Sequence, residues 1–369
     1  MSFEVMPLKK ENYEEWDMFC LESDEAWFWH TTKYLDYSVA YGSSRHGTNN
    51  CSFIVTSESK IMAICPLLLE KKIDETGVAH FEFSTSASGG EGIIPVLRTG
   101  LAEDRREKIL KLVFEKIDSL AKEHNAVRAS FRMSPIMIRN RRPDFNWLLK
   151  YGYYDRSLNS RIIDLTRPLD HIWRDVRKGH KYDINRGSRY YKVHLFDRTN
   201  ANKEVFDQYR FLHHKAAGRI TRPIETFEMM YRWIAEGNGV LCGVSKDAKF
   251  AAFALVVAYK DGAYYISASD DPDLSADVPM SHVIQWEAIK WLKNNGIKNY
   301  EIGIQQFGPL FHDMPTEKDM SISFFKRGFG GKTVPLFRGE KFYDSSYMQI
   351  ALKRRSAALV EAYKTSRTR

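Results

Sequence analysis

The run Asn299-Tyr-Glu-Ile-Gly-Ile-Gln305 alternates Glu301, Gly303 and Gln305 onto one face of a strand and Tyr300, Ile302 and Ile304 onto the other. A carboxylate beside a strand glycine can take a proton from a group drawn close to the backbone, because Gly303 carries no side chain to hold it away. Glu301 is therefore the first candidate for a general base, although a solvated strand carboxylate would look the same. Lys326 follows two phenylalanines and precedes Arg327-Gly328. A cation there can neutralise a tetrahedral intermediate or a phosphate, whereas a plain lysine at that place would only complement the helix dipole. The segment His213 to Pro223 holds His213, His214, Lys215, Arg219 and Arg222, with Gly218 as a helix stop. Such a density of cations reads as an anion or phosphate binder. His282 follows Ser281 at the start of a long helical stretch, where backbone N–H groups attract anions. Arg174, Arg177, Lys178 and Lys181 recur at helical spacing opposite Ile172, Val176 and Ile184. One amphipathic helix with a cationic stripe is expected there, with Arg177 and Lys181 as binding candidates. The stripe suits a nucleic-acid backbone, an anionic membrane surface or a nucleotide-linked diphosphate.

These residues belong to a chain of 369 residues, long enough for two cores of ordinary size. Hydrophobic residues make up 43%, which excludes wholesale disorder. The longest apolar run, Phe250 to Ala258, is far short of the about 20 residues a membrane helix needs. The N-terminal stretch carries Glu4, Lys9, Lys10 and Glu11 and lacks a signal-peptide core, so a cytoplasmic location is expected. The four cysteines form no CxxC pair and read as reduced thiols. His213 and His214 are adjacent and would point about 100° apart on a helix, so no metal is expected. The net charge of +8 is concentrated. Asp170 to Lys192 holds seven Lys/Arg against three Asp, and Ala351 to Arg369 holds six against one Glu, so these two segments carry the basic excess.

The elements that must position the candidates occur twice. Ser52 to Lys72 and Leu241 to Asp261 align without gaps at an offset of 189, each reading as a hairpin with a polar turn. Phe3–Leu8 and Tyr191–Phe196 precede them as short strands, each followed by a helix, Tyr13–Leu21 and Glu204–Lys215. Downstream come strands His80–Ser86 and Ala263–Ser269, the latter carrying Tyr265 and Ser267 as further binding candidates. Helices Ala102–Glu123 and Met280–Asn294, strands Val127–Phe131 and Asn299–Ile304, and short helices ending in glycine and aromatics complete each copy. An α/β fold of two tandem domains is expected, at 1–168 and 169–345, with a basic helical tail at 346–369.

This order resembles the GNAT acyltransferase fold, and its tandem form is similar to the FemABX family. NYEIGI (Asn299 to Ile304), SFFKRGFGG (Ser323 to Gly331) and the basic Gly179-His-Lys-Tyr-Asp-Ile-Asn-Arg186 carry the resemblance, which spans nearly the whole chain. It implies two mixed sheets flanked by helices, with the donor inserted where the fourth and fifth strands of the second copy splay apart. It also implies transfer of an acyl or aminoacyl group onto an amine of a cell-envelope precursor, from aminoacyl-tRNA or an acyl thioester, with no tightly bound cofactor. The chain departs from the pattern in lacking a coiled-coil arm and the glycine-rich pyrophosphate loop. Asp270 to Met280 stands at that place with four acids and no glycine. Two other readings fit these residues: an acyl-CoA-dependent N-acetyltransferase of a small amine, and a non-catalytic module that binds RNA or an anionic surface.

Overall fold

The computed structural model describes residues 2–44, 47–74, 77–136, 145–274 and 278–367. Part of the acidic segment Asp270 to Met280 therefore lies outside the described residues. The chain packs as two compact units of mixed sheets flanked by helices.

The second unit holds one seven-stranded sheet. Its antiparallel half comprises Lys192–Phe196, Gly239–Lys246, Lys249–Tyr259 and Gly262–Asp270. Lys249–Tyr259 is apolar along nearly its whole length because both faces are covered, and it runs through the middle of the core. Asn299–Gln305 then joins Gly262–Asp270 in parallel through the crossover helix Met280–Asn294, whose Val283, Ile284, Ile289 and Leu292 pack onto the sheet.

The first unit repeats these parts across two sheets. Glu4–Pro7, Phe53–Ser57 and Lys60–Cys65 form its outer antiparallel strands. The helix Glu103–Glu123 leads into Ala126–Arg132, which pairs in parallel with Ala79–Phe83.

Duplication is visible in backbone detail. Both hairpins turn through two consecutive non-glycine residues with positive φ, Glu58-Ser59 and Asp247-Ala248. Both carry a one-residue bulge, at Met62 and at Ala251. All three pairs of positions are separated by the offset of 189 seen in the sequence.

The linear split expected at 168/169 and 345/346 is corrected by an exchange of strands. Arg338–Phe342 lies between Tyr154–Asp155 and Ala126–Arg132 in the first unit's sheet. Leu158–Asp164 lies between Asn299–Gln305 and Lys332–Leu336 in the second unit's sheet. Each copy lends its partner one strand, so residues 335–369 return to the first unit. The basic C-terminal segment is not a free tail. Its helix Ser345–Arg367 belongs to the first unit, and Arg355 pairs with Glu340 there. Hydrophobic spacing marks strands but not which sheet receives them, which is why the exchange escaped the sequence pattern.

Candidate active site

The site begins where two parallel strands part. Gly262–Asp270 and Asn299–Gln305 are paired at Gly262/Asn299, Ala263/Tyr300 and Tyr264/Glu301, and pairing then stops although both strands run on. Beyond that point Gly262–Asp270 carries a bulge against its other neighbour. Leu255 faces Ser267 and Val256 faces Tyr265, leaving Ile266 as the extra residue. A splayed pair with a bulge leaves backbone N–H groups aimed into the gap, the arrangement an oxyanion hole needs.

The first unit fills the corresponding gap. Ala79–Phe83 and Ala126–Arg132 also part after three pairs, but the short strand Gly92–Ile93 then takes up Phe131 and Arg132. Among the described residues no strand does this in the second unit.

Glu301, Ser160, Lys326 and Tyr264 gather beside the second unit's gap. Glu301 is 2% exposed and accepts a hydrogen bond from Ser160 Oγ at 2.6 Å. Ser160 lies on the exchanged strand Leu158–Asp164. Gly303 has φ +107°, a conformation that disfavours any side chain. A Cβ built there would lie 2.8 Å from Lys326 Nζ and 3.8 Å from the Tyr264 hydroxyl. The lysine therefore rests against the strand backbone at the only kind of residue that admits it. Burial pushes the Lys326 amine down to about 8, and the Glu301 carboxylate opposes that fall. Gln305 is buried and accepts from an Arg327 N–H at 3.3 Å.

Residues 174–309 match the family model of the acetyltransferase (GNAT) domain. Among solved structures, the chain is similar to FemX at 14% identity and TM-score 0.64, covering 95% of this chain and 100% of that one. It is similar to L-PGS from Bacillus licheniformis at 12% identity and TM-score 0.56, covering 97% of each. It also resembles a tandem GNAT protein of the clavulanic acid biosynthesis pathway, at 11% identity and TM-score 0.51, covering 92% and 98%. At such identities the structures establish the fold. No curated protein matches the sequence. This chain is an acyltransferase of FemABX-like tandem GNAT fold.

The remaining candidates of the acyltransferase fall elsewhere in the second unit. Tyr265 is partly buried against the core, and burial raises its phenol. Ser267 lies just past the bulge, half-buried. The single basic helix expected over Arg174 to Lys181 is corrected to two. One helix ends at Asp175 and the next begins at Lys178, with Val176 and Arg177 extended between them. The continuous cationic stripe is therefore absent. Arg177 lies over the Phe324 ring at 3.9 Å and donates to His180 Nδ1 at 3.1 Å. Lys181 donates to the Arg174 carbonyl at 3.0 Å, where it satisfies the end of the preceding helix.

The cation-rich segment is also mostly committed within the fold. Lys215 pairs with Asp271 at 2.5 Å and Asp273 at 2.6 Å. Arg222 donates to His213 Nε2 at 3.1 Å and lies over the Phe227 ring. Burial and Arg222 together hold His213 neutral, down to about 4. His214 is lowered chiefly by burial, and next by Arg210 and Arg222. Arg219 alone of these cations is exposed. The acids expected to repel a diphosphate are thus partly spent on Lys215.

His282 faces His180 edge-on at 4.3 Å between ring centres, with Asp183 3.5 Å from its Nε2. Burial pushes His282 down to about 4. His180 donates from Nε2 to the Phe325 carbonyl at 2.8 Å and accepts from Arg177 at Nδ1. Both of its nitrogens are therefore occupied, so this trio braces the helix that carries Lys326 and is poorly arranged for a metal ion.

Ser160, Tyr264 and His180 were missed as functional residues. Tyr264 follows from strand alternation once the gap is known. Ser160 carries no signal of its own, since its role comes from the strand exchange.

Proposed function

We propose that the second unit transfers an acyl or aminoacyl group onto an amine of a cell-envelope precursor. The observation that carries this reading is the open strand gap, with Lys326 lodged against Gly303 at its base. The donor carbonyl would enter the gap, and the backbone N–H groups beyond the bulge would meet its developing oxyanion. Lys326 in its protonated form would add positive charge to that oxyanion, and Glu301, anchored by Ser160, would keep the lysine charged. A buried Glu301 is better placed to serve Lys326 than to meet the acceptor itself, so the base that takes the amine proton is a water or the leaving group.

For the donor, aminoacyl-tRNA is favoured by the FemABX resemblance and by the exposed face of Lys178–Tyr190, where Lys178, Tyr182, Asn185, Arg186 and Arg189 share one side. The second reading, an acyl-CoA-dependent N-acetyltransferase, rests on the acetyltransferase domain match. The acceptor would be an anionic or nucleotide-linked small molecule, met in the cytoplasm or at a membrane surface. No helix among the described residues is long and apolar enough to cross a membrane. Donor consumption separates the readings. The full chain is incubated with acetyl-CoA or with alanyl-tRNA, together with amine acceptors of the peptidoglycan-precursor and amino-sugar classes. Acceptor-dependent loss of the alanyl ester supports the first reading, acceptor-dependent thiol release the second, and neither leaves a binding module.

A further inference from the structure

The first unit contains a cluster of guanidinium groups that the transfer chemistry does not use. Arg132 and Arg338 stand directly opposite each other in the antiparallel pair of Ala126–Arg132 and Arg338–Phe342. Like charges at such positions repel. Both are buried, at 9% and 8% exposure. Their surroundings hold five arginines and three carboxylates among the described residues: Arg128, Arg132, Arg156, Arg338 and Arg355 against Glu82, Glu91 and Glu340. Glu82 takes Arg128, Glu340 is shared by Arg128, Arg156 and Arg355, and Glu91 takes Arg338.

Arg132 has no carboxylate among the described residues. Its polar contact is a 3.5 Å hydrogen bond to Ser88 Oγ, whose other partner is the Tyr34 hydroxyl at 2.5 Å, and its guanidinium lies 5.9 Å from the centre of the Trp29 ring. The Nε atoms of Arg132 and Arg338 and the hydroxyl of Ser130 are all buried without a hydrogen-bond partner among the described residues. Ser130 and Arg132 share a strand face. Burial pushes even Arg338 down to about 10 despite Glu340. Buried cations are ordinarily paired, because an unpaired one loses its hydration with nothing in return. Unpaired donors on two adjacent forks, with a hydroxyl on the same strand face, match the several acceptors of an oxyanion.

We propose that the first unit binds the oxyanion group of a small molecule, a phosphate or a carboxylate, between Arg132 and Arg338, with Ser130 and Ser88 completing the donors. The place is informative. Arg132 ends the strand Ala126–Arg132 as Gln305 ends Asn299–Gln305, each beyond the three pairs of its parallel register. The first copy thus places a buried cation at the strand end that borders the gap in the second copy, while its own gap is closed by Gly92–Ile93. The proposal stands independently of whether the second unit transfers acyl groups.

The test uses the full chain, with inorganic phosphate, acetate and chloride titrated at matched ionic strength while the thermal midpoint is followed. Saturable stabilisation by phosphate or acetate but not chloride is expected, and which of the two acts at lower concentration identifies the class of oxyanion. Arg132→Met should melt no lower than wild type without anion and should lose the anion response. Arg132→Lys, which keeps the charge without the fork, should weaken the response about tenfold or more. The proposal is overturned by a wild type that shows no saturable response, or by a response that survives in Arg132→Met. An Arg132→Met chain that fails to fold without anion also overturns it, since the native charge would then already have a partner.

Discussion

Replacing Lys326 by methionine removes a buried amine whose proton affinity has fallen from 10.5 to about 8. Each tenfold fall in proton affinity corresponds to about 1.4 kcal/mol, so burial of the charged form costs about 3 kcal/mol. Residual solvent contact and screening reduce the measurable share to about 1–2 kcal/mol. The sign follows from proton counting. Below pH 8 the lysine is protonated in both the folded and unfolded chains, and the cost is borne in full. Between about 8 and 10.5 the unfolded chain still holds a proton that the folded chain has released, so stability rises with pH. Above 10.5 both are neutral and the cost is gone. Urea unfolding of wild type and Lys326→Met across this range isolates the effect, because other titrations are common to both chains and cancel in the difference. The wild type should gain about 1–2 kcal/mol on the variant between pH 8 and 10.5. Parallel stability curves over that window would show that Lys326 titrates as an ordinary surface lysine and would refute its burial against Gly303.

Two further substitutions probe what holds the site. Ser160→Ala strips a donor from the buried Glu301 and should cost about 1–3 kcal/mol in chemical denaturation, with a lower transfer rate and unaltered donor affinity; unchanged stability would mean that Glu301 is held by other partners. Gly328→Ala places a Cβ 2.0 Å from His180 Nε2, which is pinned by the Phe325 carbonyl, so the thermal midpoint should fall by several degrees, and an unchanged midpoint would show that the histidine can move aside.

Much of this architecture is legible in the sequence because strands and helices write their periods into it. The helix Met280–Asn294 and the strands around Glu301 emerge close to their expected bounds, and the shared offset of the two hairpins survives as matching bulges and turns. Glu301, Gly303 and Lys326 converge because strand alternation and a positive-φ glycine restrict what can stand beside them.

What was illegible depends on the partners a side chain finds in three dimensions. Lys215 looks available in sequence, yet Asp271 and Asp273, distant along the chain, take its charge. The cationic stripe fails for a local reason: Val176 and Arg177 leave the helix, which breaks the helical spacing between Arg174 and the pair Lys178 and Lys181. The arginines of the first unit are spread over distant segments, and the strand exchange that gathers them has no marker in hydrophobic periodicity.

Acyl transfer in the second unit's strand gap, over Lys326 and Glu301, is checked by single-turnover transfer from the donor that the wild-type protein consumes, in wild type, Glu301→Gln and Lys326→Met, with donor affinity measured separately. Donor affinity should stay within a few-fold, while the transfer step slows about 10²–10³-fold in Lys326→Met and by a smaller factor in Glu301→Gln. Transfer at the wild-type rate in Lys326→Met would place the chemistry somewhere other than this gap.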